Sequence, residues 1–246
     1  MLTEKTKGIL KKVAILSVLI IIILIVGFLM LKYEVEGEKN MPFNLSKISL
    51  VSTVTVEHKE DAEEYWNLNL TQNNDIYLNF EKNEKNQNEA LIKKISLENI
   101  EIIKAPSKGE VRLYKTSNDI SNIYVNKEEN LVESKIEYSG ETQSNLEELK
   151  IGNKGGIVGI RCAIENLGVY SSNNTVIRID GSLLREINVT NEELNLELCF
   201  DIILELTSGI KYKAKAKIEL PCGDIVEEGI CKTEITDLKD IAFKRF

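Results

Sequence analysis

Four cysteines are the side chains of this sequence best suited to covalent chemistry: Cys162, Cys199, Cys222 and Cys231. In an oxidising compartment, four thiols can form two disulfides in three connectivities. Cys222 and Cys231 flank a short polar segment, and closing that loop would remove about 2.7 kcal/mol of unfolded-state entropy in the chain-entropy model. The spacings of the four cysteines match no Cys-x-x-Cys zinc or redox motif. Two interpretations remain open: four unpaired thiols, or one Cys222–Cys231 disulfide.

The alternation of side chains along predicted strands places the other two cysteines on opposite faces. Cys162 shares the parity of Ile160 and is predicted to point inward, whereas Cys199 shares the parity of Asp201 and is predicted to point outward. A Cys162–Cys199 bridge is therefore not expected.

Residues for other kinds of catalysis are scarce. The sole histidine, His58, ends a predicted strand among charged residues, and neither a G-x-S-x-G elbow nor an H-E-x-x-H helix occurs. None of the acidic pairs lies in a D-x-D-x-D-G calcium loop, so they are interpreted as solvated surface. We therefore predict no catalytic residue, no cofactor site and no metal site. The acidic pairs are Glu63-Glu64, Glu128-Glu129, Glu192-Glu193 and Glu227-Glu228.

An apolar span of about nineteen residues, 13–31, contains one hydroxyl, that of Ser17, and no charge. As a helix it would cover about 28 Å, close to the ~30 Å hydrocarbon core of a bilayer. The span is longer than the apolar region of a cleavable signal and is not followed by a small-x-small cleavage site. We predict an uncleaved transmembrane helix that contacts the lipid bilayer through residues 13–31.

The basic residues around this span predict its orientation. Lys5, Lys7, Lys11 and Lys12 precede it and only Lys32 follows it closely, and basic flanks stay on the cytoplasmic side. The expected organisation is a cytoplasmic basic tail (1–12), the transmembrane helix (13–31), a linker (32–42) and an extracytoplasmic β-sandwich region (43–246).

The part of the chain beyond the span is acidic. Five of the 31 basic and one of the 39 acidic residues lie at or before Lys32, which leaves a formal charge of −12 on the rest. Lys and Arg side chains that neutralise phosphates supply most nucleic-acid affinity. We therefore expect no nucleic-acid binding by this acidic part of the chain. Lysine, asparagine, isoleucine and glutamate dominate while proline is scarce, a bias typical of an AT-rich bacterial genome.

Short segments of alternating apolar and polar residues predict an all-β fold after the helix. About 214 residues are enough for one large antiparallel β-sandwich or for two immunoglobulin-like halves. A sub-boundary is predicted near 140–156, where Gly152, Gly155 and Gly156 cluster. The predicted strands are 47–57, 92–104, 110–115, 131–138, 157–166 and 175–179, with a turn at 190–193 capped by Thr190.

Two hairpins are predicted in detail. In the first, Asn73-Asn74-Asp75 forms the loop, so that Leu70 faces Leu78. In the second, the loop is Thr207-Ser208-Gly209, because a two-residue loop would send the two apolar sets to opposite faces. Gly209 then takes the left-handed position of the turn. The predicted pairs of the second hairpin are Phe200 with Ala216, Ile202 with Ala214, Glu205 with Lys211 and Asp201 with Lys215.

One segment, Arg161-Cys162-Ala163-Ile164-Glu165-Asn166-Leu167-Gly168, resembles the strand end and closing Asn-x-Gly turn of many bacterial extracellular immunoglobulin-like sandwiches. It covers under a tenth of the chain, and the resemblance implies a fold class without an activity.

Taken together, these features favour a membrane-anchored binding or scaffold module of the bacterial cell envelope rather than an enzyme. Its partner would be another envelope protein or a neutral glycan, reached through a strand edge or end loops. Two alternatives remain open: a cell-wall hydrolase that uses carboxylates, and a pilin-like assembly subunit.

Overall fold

The computed structural model describes residues 4–39, 41–58, 66–86, 89–116, 131–139, 151–152, 154–174 and 176–246. The protein is mostly β, and its strands form two antiparallel sheets, which follow one apolar amino-terminal helix. Within the described ranges the helices are α1 (Glu4–Lys39), α2 (Ser182–Glu186) and α3 (Ile225–Glu228), and a 3-10 turn spans Glu192–Leu194. The strands are β1 (Phe43–His58), β2 (Trp66–Lys82), β3 (Ile92–Lys104), β4 (Glu110–Lys115), β5 (Ile136–Ser139), β6 (Ile151–Gly152), β7 (Gly155–Glu165), β8 (Val169–Ser172), β9 (Leu196–Leu206), β10 (Lys211–Leu220), β11 (Cys231–Ile235) and β12 (Lys244–Arg245).

The helix α1 contains the predicted apolar span and continues beyond it. Its segment Lys11–Met30 has a mean hydropathy of 3.3, and none of that segment is buried. Ser17 donates its hydroxyl to the carbonyl oxygen of Val13 at 3.0 Å, so the one polar side chain of the span is satisfied within the helix. The residues assigned to a linker, 32–42, begin as a continuation of this helix through Lys39.

Each sheet combines strands from both halves of the sequence. Sheet A has the order β11-β1-β2-β7-β4, with β6 beside β7 and β8 beside β2, and sheet B has the order β12-β10-β9-β3-β5. Each sheet therefore contains strands from before and from after the predicted sub-boundary near 140–156. Part of that segment lies outside the described residues, and its described end forms the short β6–β7 pair.

One cluster of buried apolar side chains draws on both sheets. Phe43, Leu70 and Phe80 come from sheet A, and Ile95 and Phe200 come from sheet B. All five are at most 1% exposed. Burying side chains of this size stabilises the fold by about 1.5–3 kcal/mol each, so this shared core is what holds the sheets together.

The predicted hairpin between β9 and β10 is confirmed. Phe200 lies opposite Ala216 and Lys211 lies opposite Glu205, and the other two predicted pairs are also in register. Gly209 has φ +83° in the three-residue loop. The period-two pattern determined this register because a slip by one residue would have exposed a whole apolar set.

The predicted hairpin at Asn73-Asn74-Asp75 is wrong. These residues lie in the middle of β2, a single strand of 17 residues. Leu70 pairs instead with Val56 of β1, and Leu78 pairs with Ile48. The parity of the apolar residues is the same on both sides of the polar triplet, which fits a continuous strand as well as a hairpin.

Other strand predictions are confirmed to different extents. β3 and β4 match their predicted ranges, and β1 extends beyond its range at both ends. β7 begins two residues earlier than predicted and ends one residue earlier. Of the range 131–138, only β5 is a strand, with an isolated bridge between Leu131 and Tyr114. The described residues of 175–179 form no strand, and Val176 there is 81% exposed. The predicted turn is confirmed as the 3-10 turn Glu192–Leu194, and Thr190 Oγ1 caps it by accepting the backbone N–H of Glu193 at 3.4 Å.

Candidate functional site

A row of polar and thiol side chains crosses the inner face of sheet A. Asn74 of β2 lies opposite Ser52 of β1 on one side and opposite Cys162 of β7 on the other. Ser52 in turn lies opposite Cys231 of β11. All four residues are at most 2% exposed, so the row places polar groups in the apolar core.

Gln72 lies two residues before Asn74 on β2, and the two side-chain amides satisfy each other. Gln72 Nε2 donates to Asn74 Oδ1 at 2.8 Å, and Asn74 Nδ2 donates to Gln72 Oε1 at 2.9 Å. The second amide hydrogen of each reaches a carbonyl oxygen, that of Asn73 or of Cys162. An unsatisfied buried amide would cost about 1–3 kcal/mol, and this mutual pairing avoids that cost.

Ser52 connects the amide pair to the thiols. Its hydroxyl donates to Asn74 Oδ1 at 2.7 Å and accepts the backbone N–H of Cys222 at 3.0 Å. Cys222 follows β10 of sheet B, after a cis peptide bond between Leu220 and Pro221. The side chain of Ser52, in sheet A, thus holds the chain leaving sheet B.

The sulfur atoms of Cys222 and Cys231 lie in one small region. Cys222 Sγ is 3.3 Å from the carbonyl oxygen of Cys231 and 3.6 Å from that of Leu50. Cys231 Sγ is 3.3 Å from Glu228 Oε2 in α3. Both cysteines are unbridged thiols in the structure. Each thiol lies within reach of an oxygen that can accept its hydrogen bond: a carbonyl oxygen for Cys222 and the Glu228 carboxylate for Cys231.

The environments of the two thiols differ. Cys231 is buried and Cys222 is half-buried. Burial raises the pKa of the Cys231 thiol to about 12, and the hydrogen bond to the Glu228 carboxylate adds to the rise. Burial alone raises the pKa of Cys162 to about 12. At neutral pH both of these cysteines are therefore neutral thiols rather than nucleophilic thiolates.

The predicted directions of the other two cysteines are confirmed by parity. Cys162 lies in the core, and Cys199 of β9 lies opposite Lys217 on the outer face of sheet B. The structure brings neither of them to the Cys222–Cys231 region. The sequence predicted the directions of Cys162 and Cys199. It did not indicate the buried amide pair of Gln72 and Asn74, because the composition of Asn73-Asn74-Asp75 is typical of a turn.

The remaining candidates from the sequence have local roles. His58 ends β1 and is exposed. Glu193 accepts hydrogen bonds from Thr190, and Glu227 faces Arg185 of α2 at 3.3 Å. The pairs Glu63-Glu64 and Glu128-Glu129 lie outside the described residues. Among the residues that the structure does describe, no three cysteine, histidine, aspartate or glutamate side chains are grouped to hold a metal ion.

The outer face of sheet B carries a ladder of ion pairs. Lys213 Nζ is 2.8 Å from Asp201, and Glu205 is 2.7 Å from Lys93 and 3.5 Å from Lys211. Asp201 lies directly opposite Lys215 in register but pairs with Lys213, its diagonal neighbour. The lysine stripe of β10 is thus matched by acidic residues of β9.

A pocket of about 350 Å³ lies where the start of β1 meets the carboxyl-terminal segment. Its walls include Met41, Phe43, Leu238 and Phe243, and Lys239 supplies its charge. The apolar walls of this pocket are suited to contact with an apolar group. Its described lining contains no nucleophile and no pair of acidic side chains.

The sequence matches no protein-family model, no curated protein and no solved structure.

Proposed function

We propose that the chain is a single-pass membrane protein that displays an acidic β-sandwich of immunoglobulin-like type outside the cytoplasm, as a binding or scaffold module of the cell envelope. The observation that carries the proposal is the segment Lys11–Met30, which is apolar and has no residue buried against the β body. The arguments for the anchor, its orientation, the sandwich and the binding edge are independent of one another.

The anchor follows from the cost of leaving this segment in water. Twenty helical residues span about 30 Å, the thickness of the hydrocarbon core. Exposed side chains such as Phe28 and Leu24 are 67% and 66% accessible. Since each buried apolar side chain of this size contributes about 1.5–3 kcal/mol, the helix is far more stable in lipid than in water.

The orientation rests on charge. Four lysines precede the span and the first acidic residue after it is Glu34. By the positive-inside rule the amino terminus stays in the cytoplasm and the β body is exported. The formal charge of −12 on the rest of the chain keeps that body away from anionic headgroups.

The sandwich rests on the shared core. Both sheets contribute to one buried cluster, and each sheet contains strands from both halves of the sequence. This supports one large sandwich over two separate halves, because neither half alone would complete a sheet.

The edge of β10 supports a binding role. Among the described strands only β12 pairs with that edge, and it covers Tyr212 and Lys213. Because Phe246 N donates to Lys211 O, the odd-numbered backbone groups point toward this edge. No described strand pairs with Lys215, Lys217 or Glu219 on this edge, and their side chains are exposed, which supports the addition of a partner strand there. The lysines at the edge discourage self-pairing.

The anchor and its orientation can be tested with the full chain carrying a carboxyl-terminal epitope tag in bacterial cells. We expect the tag to stay with membranes after carbonate extraction and to be removed by protease added to spheroplasts. Replacing Lys5, Lys7, Lys11 and Lys12 by glutamine should protect a large fraction of the tag, whereas the matched variant Lys32→Gln should not. Protection of the wild-type tag would overturn the proposed orientation.

The binding role can be tested with a photo-crosslinking residue at Lys215, compared with the same residue at the exposed Lys239. An envelope protein that binds the β10 edge should give a discrete adduct from position 215 that is absent from position 239. The adduct should weaken when the cells also express an excess of the chain without the photo-crosslinking residue. Equal labelling from both positions would count against strand addition at this edge.

A further inference from the structure

We propose that Cys222 and Cys231 are a thiol pair that closes to a disulfide between the two sheets, with Cys222 as the sulfur that an incoming disulfide oxidant attacks first. This inference needs the oxidant of an exported compartment in the cell, but the chemistry of the pair is a property of the fold. It can therefore be tested on purified protein, whatever the membrane orientation.

The first support is the way Ser52 holds both cysteines. Ser52 pairs with Cys231 across β1 and β11, and its Oγ is 3.0 Å from Cys222 N and 3.4 Å from Cys222 Sγ. Cys222 Sγ also lies 3.3 Å from the carbonyl oxygen of Cys231. The side chain of Cys222 therefore lies against the backbone of Cys231, as a disulfide between the two residues requires.

The second support is that the other cysteines are out of reach. Cys162 is three strands away from Cys231 along sheet A, a distance of about 14 Å at the usual strand spacing. Disulfides need Cα atoms within about 7 Å. Cys199 faces the opposite side of sheet B from the core. Cys222 and Cys231, by contrast, are in direct contact through Cys222 Sγ and the carbonyl oxygen of Cys231.

The third support is the difference in access. Cys222 is half-buried, whereas Cys231 is 2% exposed. The backbone of Gly223 lies close to Cys231 Sγ, since a Cβ added to this glycine would be only 3.2 Å from the sulfur. An oxidant therefore reaches Cys222 before Cys231. The raised pKa of Cys231 also keeps it from starting the exchange.

The reaction is an ordinary two-step thiol–disulfide exchange. Cys222, as the thiolate after loss of its proton to solvent, attacks one sulfur of the oxidant's disulfide; a mixed disulfide forms and one oxidant thiolate leaves. Cys231 then gives its proton to Glu228 and attacks Cys222 Sγ, which expels the second oxidant thiolate. The two cysteines lose two electrons and the oxidant's disulfide gains them.

The product would fasten the end of β10 in sheet B to the start of β11 in sheet A. The closed loop contains α3, whose buried side chains Ile225 and Val226 pack into the shared core. Because this bridge crosses from one sheet to the other, it resists separation of the two sheets as well as fraying of the loop.

The test uses the full chain in detergent, first reduced and then treated with oxidised glutathione. After oxidation we expect two of the four thiols to resist alkylation under denaturing conditions, and peptide mapping to join Cys222 to Cys231. The variant Cys231→Ser should accumulate a glutathione adduct on Cys222. The variant Cys222→Ser should form an adduct on Cys231 at least tenfold more slowly, and the control Cys199→Ser should form the bridge as wild type does.

Four results would overturn the proposal. They are four alkylated thiols after oxidation, a bridge that includes Cys162 or Cys199, an adduct on Cys231 as fast as that on Cys222, or failure of Cys199→Ser to form the bridge. Folding of each variant is monitored by the fluorescence of the single tryptophan, Trp66. Repeating the wild-type adduct kinetics in urea should abolish the preference for Cys222, because the preference comes from the fold.

Discussion

The carboxylate of Asp75 accepts two hydrogen bonds from the guanidinium of Arg161, at 2.7 Å from Nε and 2.8 Å from Nη2. The two residues lie directly opposite each other on β2 and β7. Their side chains are only 8% and 11% exposed, so this is a largely desolvated, bidentate ion pair on the outer face of sheet A. Such pairs fix geometry strongly and become costly when one partner is lost.

Arg161→Met should lower the free energy of unfolding by about 3–5 kcal/mol, because it leaves the Asp75 carboxylate buried without its cation. The double variant Asp75→Leu/Arg161→Met should recover much of that loss. Urea unfolding of the detergent-solubilised chain, followed by Trp66 fluorescence, measures both effects. As a control, Lys239→Met removes the exposed pair with Asp237 and should change stability by at most ~1 kcal/mol.

This ion pair also shows what the sequence could not predict. Asp75 lies in a polar triplet whose composition is typical of a turn, and its partner Arg161 is 86 positions away. No local pattern indicates that a polar triplet is covered by a distant strand. The β9–β10 hairpin was predictable because its register depends on residues within a few positions of one loop.

The candidate site, too, could be predicted only in part from the sequence. The spacing of Cys222 and Cys231 was visible in the sequence. The role of Ser52, which lies 170 residues before Cys222 and joins it to the amide pair, depends on the pairing of β1 with β2 and β11. Buried polar contacts of this kind depend on tertiary pairing that hydrophobic periodicity cannot specify.

Asn74→Ala should lower the free energy of unfolding by about 1–3 kcal/mol, because it leaves the buried amide of Gln72 and the hydroxyl of Ser52 without their partner. The matched control is Asn69→Ala on the same strand, where the amide makes an exposed contact of 3.4 Å with Asn166. The control should change stability by under ~0.5 kcal/mol. Equal effects of the two substitutions in urea unfolding would contradict the assigned role of the amide pair.

Stability should fall as the pH drops from about 4.5 toward 2. Hydrogen bonds from Lys94 and Lys135 lower the pKa of Glu137 to about 2, and the hydrogen bond from Lys93 lowers the pKa of Glu205. A carboxyl whose pKa is lower in the folded state stabilises the fold at pH values above its unfolded pKa, and this contribution is lost as the pH falls through the folded pKa.

The pH effect can be measured by urea unfolding at pH 7 and at pH 3, with the titration of Glu137 followed by NMR. The variant Lys94→Met should raise the pKa of Glu137, since it removes the largest cause of the shift. An unfolding free energy that stays constant from pH 5 to pH 2.5 would show that these ion pairs do not contribute to stability.

Two glycines should respond differently to the same substitutions. At Gly209, φ is +83° and an added Cβ would meet nothing within 4 Å, so Gly209→Ala should cost only the ~1–2 kcal/mol of a left-handed conformation. At Gly181, the added Cβ would lie 1.8 Å from the carbonyl oxygen of Ile225 in α3. Because backbone must move there, Gly181→Ala should cost about 3 kcal/mol or more.

Asparagine distinguishes the two causes. Asparagine adopts the left-handed region more readily than alanine, so Gly209→Asn should be more stable than Gly209→Ala in urea unfolding. At Gly181 the asparagine variant should be at least as unstable as the alanine variant, because both add the clashing Cβ. If asparagine restored stability at Gly181, the close approach of α2 to α3 would not be the reason that this position requires glycine.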